Sequence, residues 1–163
     1  MNAVSTGAPF ASTAIEIDAP LAQVWSVMID AARYREWNPF LVELRPVDGQ
    51  LTVGGAIHLR VQWARGGGAR TVEVVTRLDH PTTRGDLSHA AMEYRYTGWL
   101  PRLALVRGSR RQSLEQRAGG PTIYRTEERF TGLLARGVPL AQVQDGFERH
   151  ARALKSRAEA ARA

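Results

Sequence analysis

The chain has 163 residues, 44% of them hydrophobic, with no cysteine and a formal charge of +6. That length suits one domain with a real core, and the lack of cysteine excludes disulfides and thiolate metal sites. No apolar run approaches the roughly 20 residues of a membrane-spanning helix. The opening residues lack the basic region and apolar core of a signal peptide, so a cytoplasmic protein is expected. The positive charge is nearly all arginine, densest over 102–117 and 149–157. No zinc-finger spacing, aromatic RNA motif or basic tail accompanies it. It reads as solvated surface, open to weak association with anionic surfaces but not to nucleic acid.

Residues 1–10 hold Ser, Thr, Gly and Pro without periodicity and read as a loose lead-in to a single domain over 11–163. Thr13, Ile15 and Ile17 alternate with Ala14, Glu16 and Asp18 as a first strand. Asp18 is placed to cap a helix with Pro20 in its first turn, carrying Leu21, Val24, Trp25, Met28 and Ile29 on one face. A second short helix holds Tyr34 and Trp37 and is stopped by Pro39. From Phe40 the pattern turns to strands. The first covers 41–47. The next alternates Ile57, Leu59, Val61 and Trp63 with His58, Arg60 and Gln62. Gly66, Gly67 and Gly68 form a turn without the helix and lysine of a phosphate loop. Another strand puts Val72 and Val74 on one face with Leu78 in register, and ends at Asp79-His80-Pro81. Met92, Tyr94, Tyr96 and Gly98 share a face of a strand ending at Trp99-Leu100-Pro101. Longer strands over 105–117 and 123–134 follow, with Gly119-Gly120-Pro121 between them.

The last element is a helix over 139–160, with an apolar stripe at Leu140, Val143, Phe147, Ala151, Leu154 and Ala158. At 1.5 Å per residue it would be about 33 Å long, the width of six or seven strands. An α+β fold is expected: a curved antiparallel sheet of six or seven strands around one long C-terminal helix, with two short helices after the first strand. The gap between sheet and helix is the natural ligand site. Trp37, Phe40, Leu59, Trp63, Met92, Tyr94, Tyr96, Phe130, Val143 and Phe147 are its candidate lining; simple core packing would use the same residues.

Glu128 is the best candidate for acid–base chemistry, sharing a strand face with Thr126 and Phe130. An even register across the glycine turn sets it opposite Arg110 or Gln112 on the inner face. A strict two-residue loop would set it opposite Arg111 on an exposed face. The inward register is preferred because it keeps Leu114 on the apolar side. Burial there would raise the carboxyl pKa and a dominant Arg110 would hold it below its ordinary range; the residues alone are consistent with either. His58, His80, His89 and His150 have no helical i,i+4 pairing, so neither a metal site nor a cofactor is expected. No serine sits in a nucleophile elbow, which argues against a covalent hydrolase.

The run Ile17-Asp18-Ala19-Pro20, then Val24-Trp25, Asp30, Tyr34 and Trp37-Asn38-Pro39-Phe40, resembles the opening of the START-like, or SRPBCC, superfamily. The later Tyr96-Thr97-Gly98-Trp99-Leu100-Pro101, Gly108, Glu128-Arg129-Phe130-Thr131-Gly132-Leu133-Leu134 and Ala153-Leu154-Lys155 agree in order. The closer resemblance is to its polyketide cyclase/dehydrase and lipid-transport group. It implies the helix-grip fold and a cavity for apolar, aromatic or lipid-like small molecules, but no single activity. Arg110 and Gln112 depart from the apolar residues usual on that strand face and point to a partly polar cavity. Hydrophobic ligand binding is therefore the expected function. The alternatives are a cyclase or aromatase-type enzyme using the same cavity, and an interaction protein using the arginine-rich surface.

Overall fold

The computed structural model describes residues 8–98 and 105–160. The element order is β1 (Phe10–Ile17), α1 (Leu21–Ile29), a 3-10 turn (Ala31–Arg33), α2 (Tyr34–Trp37), β2 (Leu41–Pro46), β3 (Ala56–Gln62), β4 (Gly68–Arg84), β5 (Leu87–Tyr96), β6 (Arg107–Arg117), β7 (Thr122–Thr131), a second 3-10 turn (Ala135–Gly137) and α3 (Leu140–Ala160). The strands form one antiparallel sheet in the order β1-β7-β6-β5-β4-β3-β2, open between β1 and β2. This is the helix-grip architecture, with α3 closing the concave side. Most of the expected lead-in, 1–7, and the expected strand end at Trp99-Leu100-Pro101 lie outside the described residues.

The α3 stripe behaves as its period demands: Val143, Phe147, Ala151, Leu154 and Ala158 are all buried. The helix runs beside β1 and is pinned to it by polar contacts at both ends. The Ser12 N–H donates to Gln144 Oε1 at 3.0 Å, and Gln144 Nε2 donates back to Ser12 O at 2.9 Å. Farther along, Lys155 Nζ donates to Glu16 O at 2.9 Å, and the Asp18 N–H donates to Glu159 Oε1 at 2.7 Å. Arg149 holds the opposite wall, donating to Pro39 O at 2.9 Å and Gln62 O at 3.1 Å. Its side chain is only 19% exposed, so it is a clamp rather than free helix surface. Pro20, not Asp18, stands at the α1 N-cap, and Gln116 Oε1 accepts from the Leu21 N–H at 2.9 Å.

β4 departs from the simple alternation. It does not stop at Asp79-His80-Pro81 but runs on to Arg84, carrying Pro81 through a bulge between Asp79 and Thr82. A bulge tolerates proline because the ladder is already interrupted there. A second irregularity between Val75 and Arg77 changes the phase: Val75 lies opposite Tyr94, whereas Leu78 lies opposite Met92. Three steps on one strand match two on its partner. Leu78 therefore shares its face with Val75 and Glu73, not with Val72 and Val74. Val72 is 40% exposed, while Glu73 and Val75 are buried.

On α3, Gly146 packs directly against the ring of Phe40, the residue that leads into β2. A Cβ on Gly146 would stand 2.3 Å from the Phe40 ring. Helix propensity alone would favour Ala over Gly by about 1 kcal/mol. Here overpacking should win, and Gly146→Ala should destabilise the protein by about 1–3 kcal/mol in urea melts. A gain in stability would mean that Phe40 moves aside freely.

Candidate functional site

The inner face of the sheet is organised by cross-strand rows. One row sets Val75, Tyr94, Arg110 and Glu128 side by side across β4 to β7. The neighbouring row pairs Glu73 with Tyr96 and Gly108 with Phe130. The even register expected across the Gly119-Gly120 turn is present, with Arg110 opposite Glu128.

Arg110 is 4% exposed. Its Nε donates to Thr126 Oγ1 at 3.0 Å and its Nη1 to Tyr94 Oη at 3.2 Å. The guanidinium lies 4.3 Å from the Phe147 ring centroid and 6.0 Å from that of Phe40. Gln112 Nε2 donates to Tyr94 Oη at 3.4 Å, and the Tyr124 hydroxyl donates to Gln112 Oε1 at 2.8 Å. The Tyr124 ring stacks on His150, with centroids 5.8 Å apart. Asn38 Oδ1 accepts from the Phe40 and Leu41 N–H groups at 3.1 and 2.9 Å, so its amide nitrogen is the partner of His150 Nδ1 at 2.8 Å. The polar floor thus runs from β7 through β6 and β5 to α3 and the α2–β2 link.

The candidate residues divide by depth. Phe40, Leu59, Met92, Tyr94, Arg110, Gln112, Phe130, Val143 and Phe147 are buried in the interior between sheet and helix. Trp37, Trp63, Tyr96 and Glu128 are half-buried. Trp37 meets His150 edge-on at 5.5 Å, and the Trp63 ring lies 5.9 Å from that of Phe40. Surface hollows of about 360–510 Å³ touch some of these candidates: one of about 430 Å³ at the ends of β5 to β7 meets Tyr96 and Gly108, and two others meet Leu59 and Trp37.

Glu128 and Arg110 do not form the ion pair that their alignment invites; no carboxylate of the described residues lies within 4.0 Å of the Arg110 guanidinium. The Glu128 carboxyl instead leans over Gly108, where an added Cβ would stand 2.8 Å from Oε1. Burial therefore outweighs the guanidinium. The Glu128 pKa is pushed up to about 8, by burial first and by Glu73 second, with Arg110 only partly opposing. Of the two directions the sequence leaves open for this carboxyl, the upward one holds.

Glu73 went unforeseen, and so did the burial of His150. The Glu73 carboxyl accepts from Thr71 Oγ1 at 2.9 Å, and burial lifts its pKa to about 7 against the pull of Thr71 and Arg110. The β4 phase change hid it. His150 is fully buried, and its pKa is held well below the usual range by burial and by the Arg110 charge. It lies three residues after Phe147 and four before Leu154, so the helical period itself placed it on the buried stripe. Among the described residues, no cluster of His, Asp and Glu is arranged to hold a metal ion.

The raised carboxyl pKa values fix a pH dependence. Folded Glu73 holds its proton up to about pH 7, whereas an unfolded glutamate loses it near the ordinary value of 4.5. Between these values the native state binds more protons, so stability falls as pH rises through the window. Glu73→Gln should therefore raise stability at about pH 9 by on the order of 2 kcal/mol, with the difference shrinking toward about pH 4. Denaturant melts at both pH values test this; a variant less stable than the parent at about pH 9 would contradict it.

Comparison with known proteins agrees with this geometry. The sequence matches the family described as polyketide cyclase / dehydrase and lipid transport over residues 11–159. No curated protein sequence matches the chain. Among solved structures, a START superfamily protein from Mycobacterium smegmatis is 18% identical with a TM-score of 0.58, covering 93% of this chain and 98% of that one. Norcoclaurine synthase from Thalictrum flavum is 16% identical with a TM-score of 0.65, covering 99% of this chain and 100% of that one. The di-domain aromatase/cyclase BexL from the BE-7585A biosynthetic pathway is 19% identical with a TM-score of 0.60, covering 93% of this chain and 48% of that one. At these identities the likeness is one of fold. With the family match spanning nearly every element of the grip, the chain belongs to the polyketide cyclase / dehydrase and lipid transport family.

Proposed function

We propose that this protein binds an apolar or aromatic small molecule between the sheet and α3, with the Arg110 cluster orienting it. The observation that carries this reading is a polar floor set into an otherwise apolar interior: Arg110, Gln112, Tyr94, Tyr124 and Thr126 sit among Phe40, Met92, Leu114, Val143 and Phe147. An interior serving packing alone gains nothing from a buried guanidinium, which costs several kcal/mol to desolvate. A binding site gains orientation from it. The apolar walls would contribute about 25 cal/mol per Å² buried, less the cost of immobilising the ligand.

A second reading, a cyclase or aromatase-type enzyme, is favoured by one further observation. Glu73 and Glu128 hold protons close to neutral pH on the same inner face. Carboxyl groups of that kind serve as general acids toward a carbonyl oxygen of a folded polyketide-like chain. Loss of water from a poly-β-ketone analogue, followed by mass spectrometry, would separate this enzyme from a carrier. Glu73→Gln and Glu128→Gln should abolish turnover while leaving binding in place.

Native mass spectrometry of the purified protein should show one small molecule retained per chain, and hydrophobic dyes should titrate with one-to-one stoichiometry. Trp63→Ala should weaken dye binding about tenfold, equivalent to about 1.4 kcal/mol. The loss of folding stability should be smaller than that. Failure of every apolar ligand to bind would overturn the proposal.

A further inference from the structure

The hydrogen bonds of the interior do not balance, and the imbalance has a sign. Among the described residues, Trp25 Nε1, Arg110 Nη2 and His150 Nε2 are buried side-chain atoms without a hydrogen-bond partner; Trp25 lies against His80, and the other two flank Phe147. The His150 tautomer follows from its neighbours. Both backbone N–H groups that meet Asn38 Oδ1 fix the amide orientation, so His150 Nδ1 must accept and Nε2 must carry the proton. Tyr94 Oη accepts from both Arg110 and Gln112, which leaves its own proton turned away from both. Besides Trp25 Nε1, three donors are therefore left over: Arg110 Nη2, His150 Nε2 and the Tyr94 hydroxyl.

They belong to one compartment. Phe147 and His150 are one turn apart on α3; the Arg110 guanidinium lies over the first, and the Tyr124 ring, bonded to Gln112, stacks on the second. The charge does not balance either. The Arg110 guanidinium is permanently cationic and has no carboxylate within 4.0 Å among the described residues. The nearest acidic groups, Glu73 and Glu128, keep their protons up to about pH 7 and 8. A buried cation with spare donors calls for an anionic acceptor.

We infer that the ligand of the grip carries a carboxylate, held by Arg110 Nη2 with the Tyr94 hydroxyl and His150 Nε2 as neighbouring donors, and an apolar body lying against Phe147 and Val143. This rests on the binding reading above and names the chemical class of its ligand. A neutral ligand of the same shape would leave the guanidinium charge unmatched.

The test uses two probes of one shape, naphthoate and naphthylmethanol, titrated into the full-length protein by calorimetry at about pH 6. The acid should bind at least about tenfold more tightly, the ratio expected of a charge-assisted, partly bidentate contact. Arg110→Gln should bring the two affinities to within about twofold by weakening the acid alone. Should that variant fail to fold, Tyr94→Phe removes a single hydroxyl and should cut the acid's advantage about threefold. Arg107→Gln, on the exposed outer face, should leave the advantage unchanged, which separates a local contact from attraction by the net charge. Equal binding of acid and alcohol to the parent protein would sink the carboxylate inference and leave ligand binding standing. Binding of neither probe would sink the carboxylate inference, and failure of the hydrophobic dyes as well would overturn both. An advantage that survives Arg110→Gln, or that Arg107→Gln abolishes, would place the carboxylate elsewhere.

Discussion

The interior is built around one buried positive charge. Taking a guanidinium out of water costs several kcal/mol even after the protein relaxes, so Arg110 can sit at 4% exposure only if its surroundings repay most of that. Two hydrogen bonds to hydroxyl oxygens contribute about 1.5–3 kcal/mol each, and a desolvated ring face adds about 2 kcal/mol. Every group that supplies them is itself committed. Thr126 must face inward from β7 and Tyr94 from β5, and Phe147 must present its ring from α3. The charge on β6 thus dictates side-chain choice on both neighbouring strands and on the helix that covers them.

That demand explains why α3 is held so firmly. Its stripe would pack against many apolar surfaces, but stacking on Arg110 requires a fixed rotation and a fixed height. The polar ties to Ser12, Glu16 and Asp18 set the height along β1. Arg149 reaches the far wall at Pro39 and Gln62, close to where the Phe40 ring packs against Gly146. The helix is therefore anchored to both edges of an open sheet, and the width of the grip is set by side chains rather than by strand pairing.

The parts that were legible in the sequence are those governed by uninterrupted periods. The α3 stripe, the alternation of β3 and the inward face carrying Arg110, Gln112 and Leu114 each repeat without a break. Glu73 was hidden because a bulge between Val75 and Arg77 shifts the phase of β4, and no residue type there announces it. Pro81 looked like a strand end because its missing N–H is costly in a regular ladder, and the bulge removes that cost. His150 lies on the same stripe, and a lone imidazole there reads as a possible metal ligand as easily as a core residue. The absence of a Glu128–Arg110 pair could not have been foreseen. Register puts the two side by side, but the space over Gly108 lets the carboxyl turn away.

The same turn of Glu128 decides what kind of site the grip can be. Had Glu128 paired with Arg110, the interior would hold a neutral, fully satisfied ion pair, and an incoming polar group would have to break it. Instead burial keeps the proton on Glu128 and on Glu73, and the guanidinium keeps an unspent donor. Positive charge and proton-bearing carboxyls stand on one sheet face, Glu128 in the same row as Arg110 and Glu73 in the next. Orientation of a ligand and proton transfer to it would then draw on different residues, Arg110 for the first and the two glutamates for the second. A carrier needs only the first. An enzyme needs both, and because the two sets do not share a hydrogen bond, substitution can remove one and leave the other.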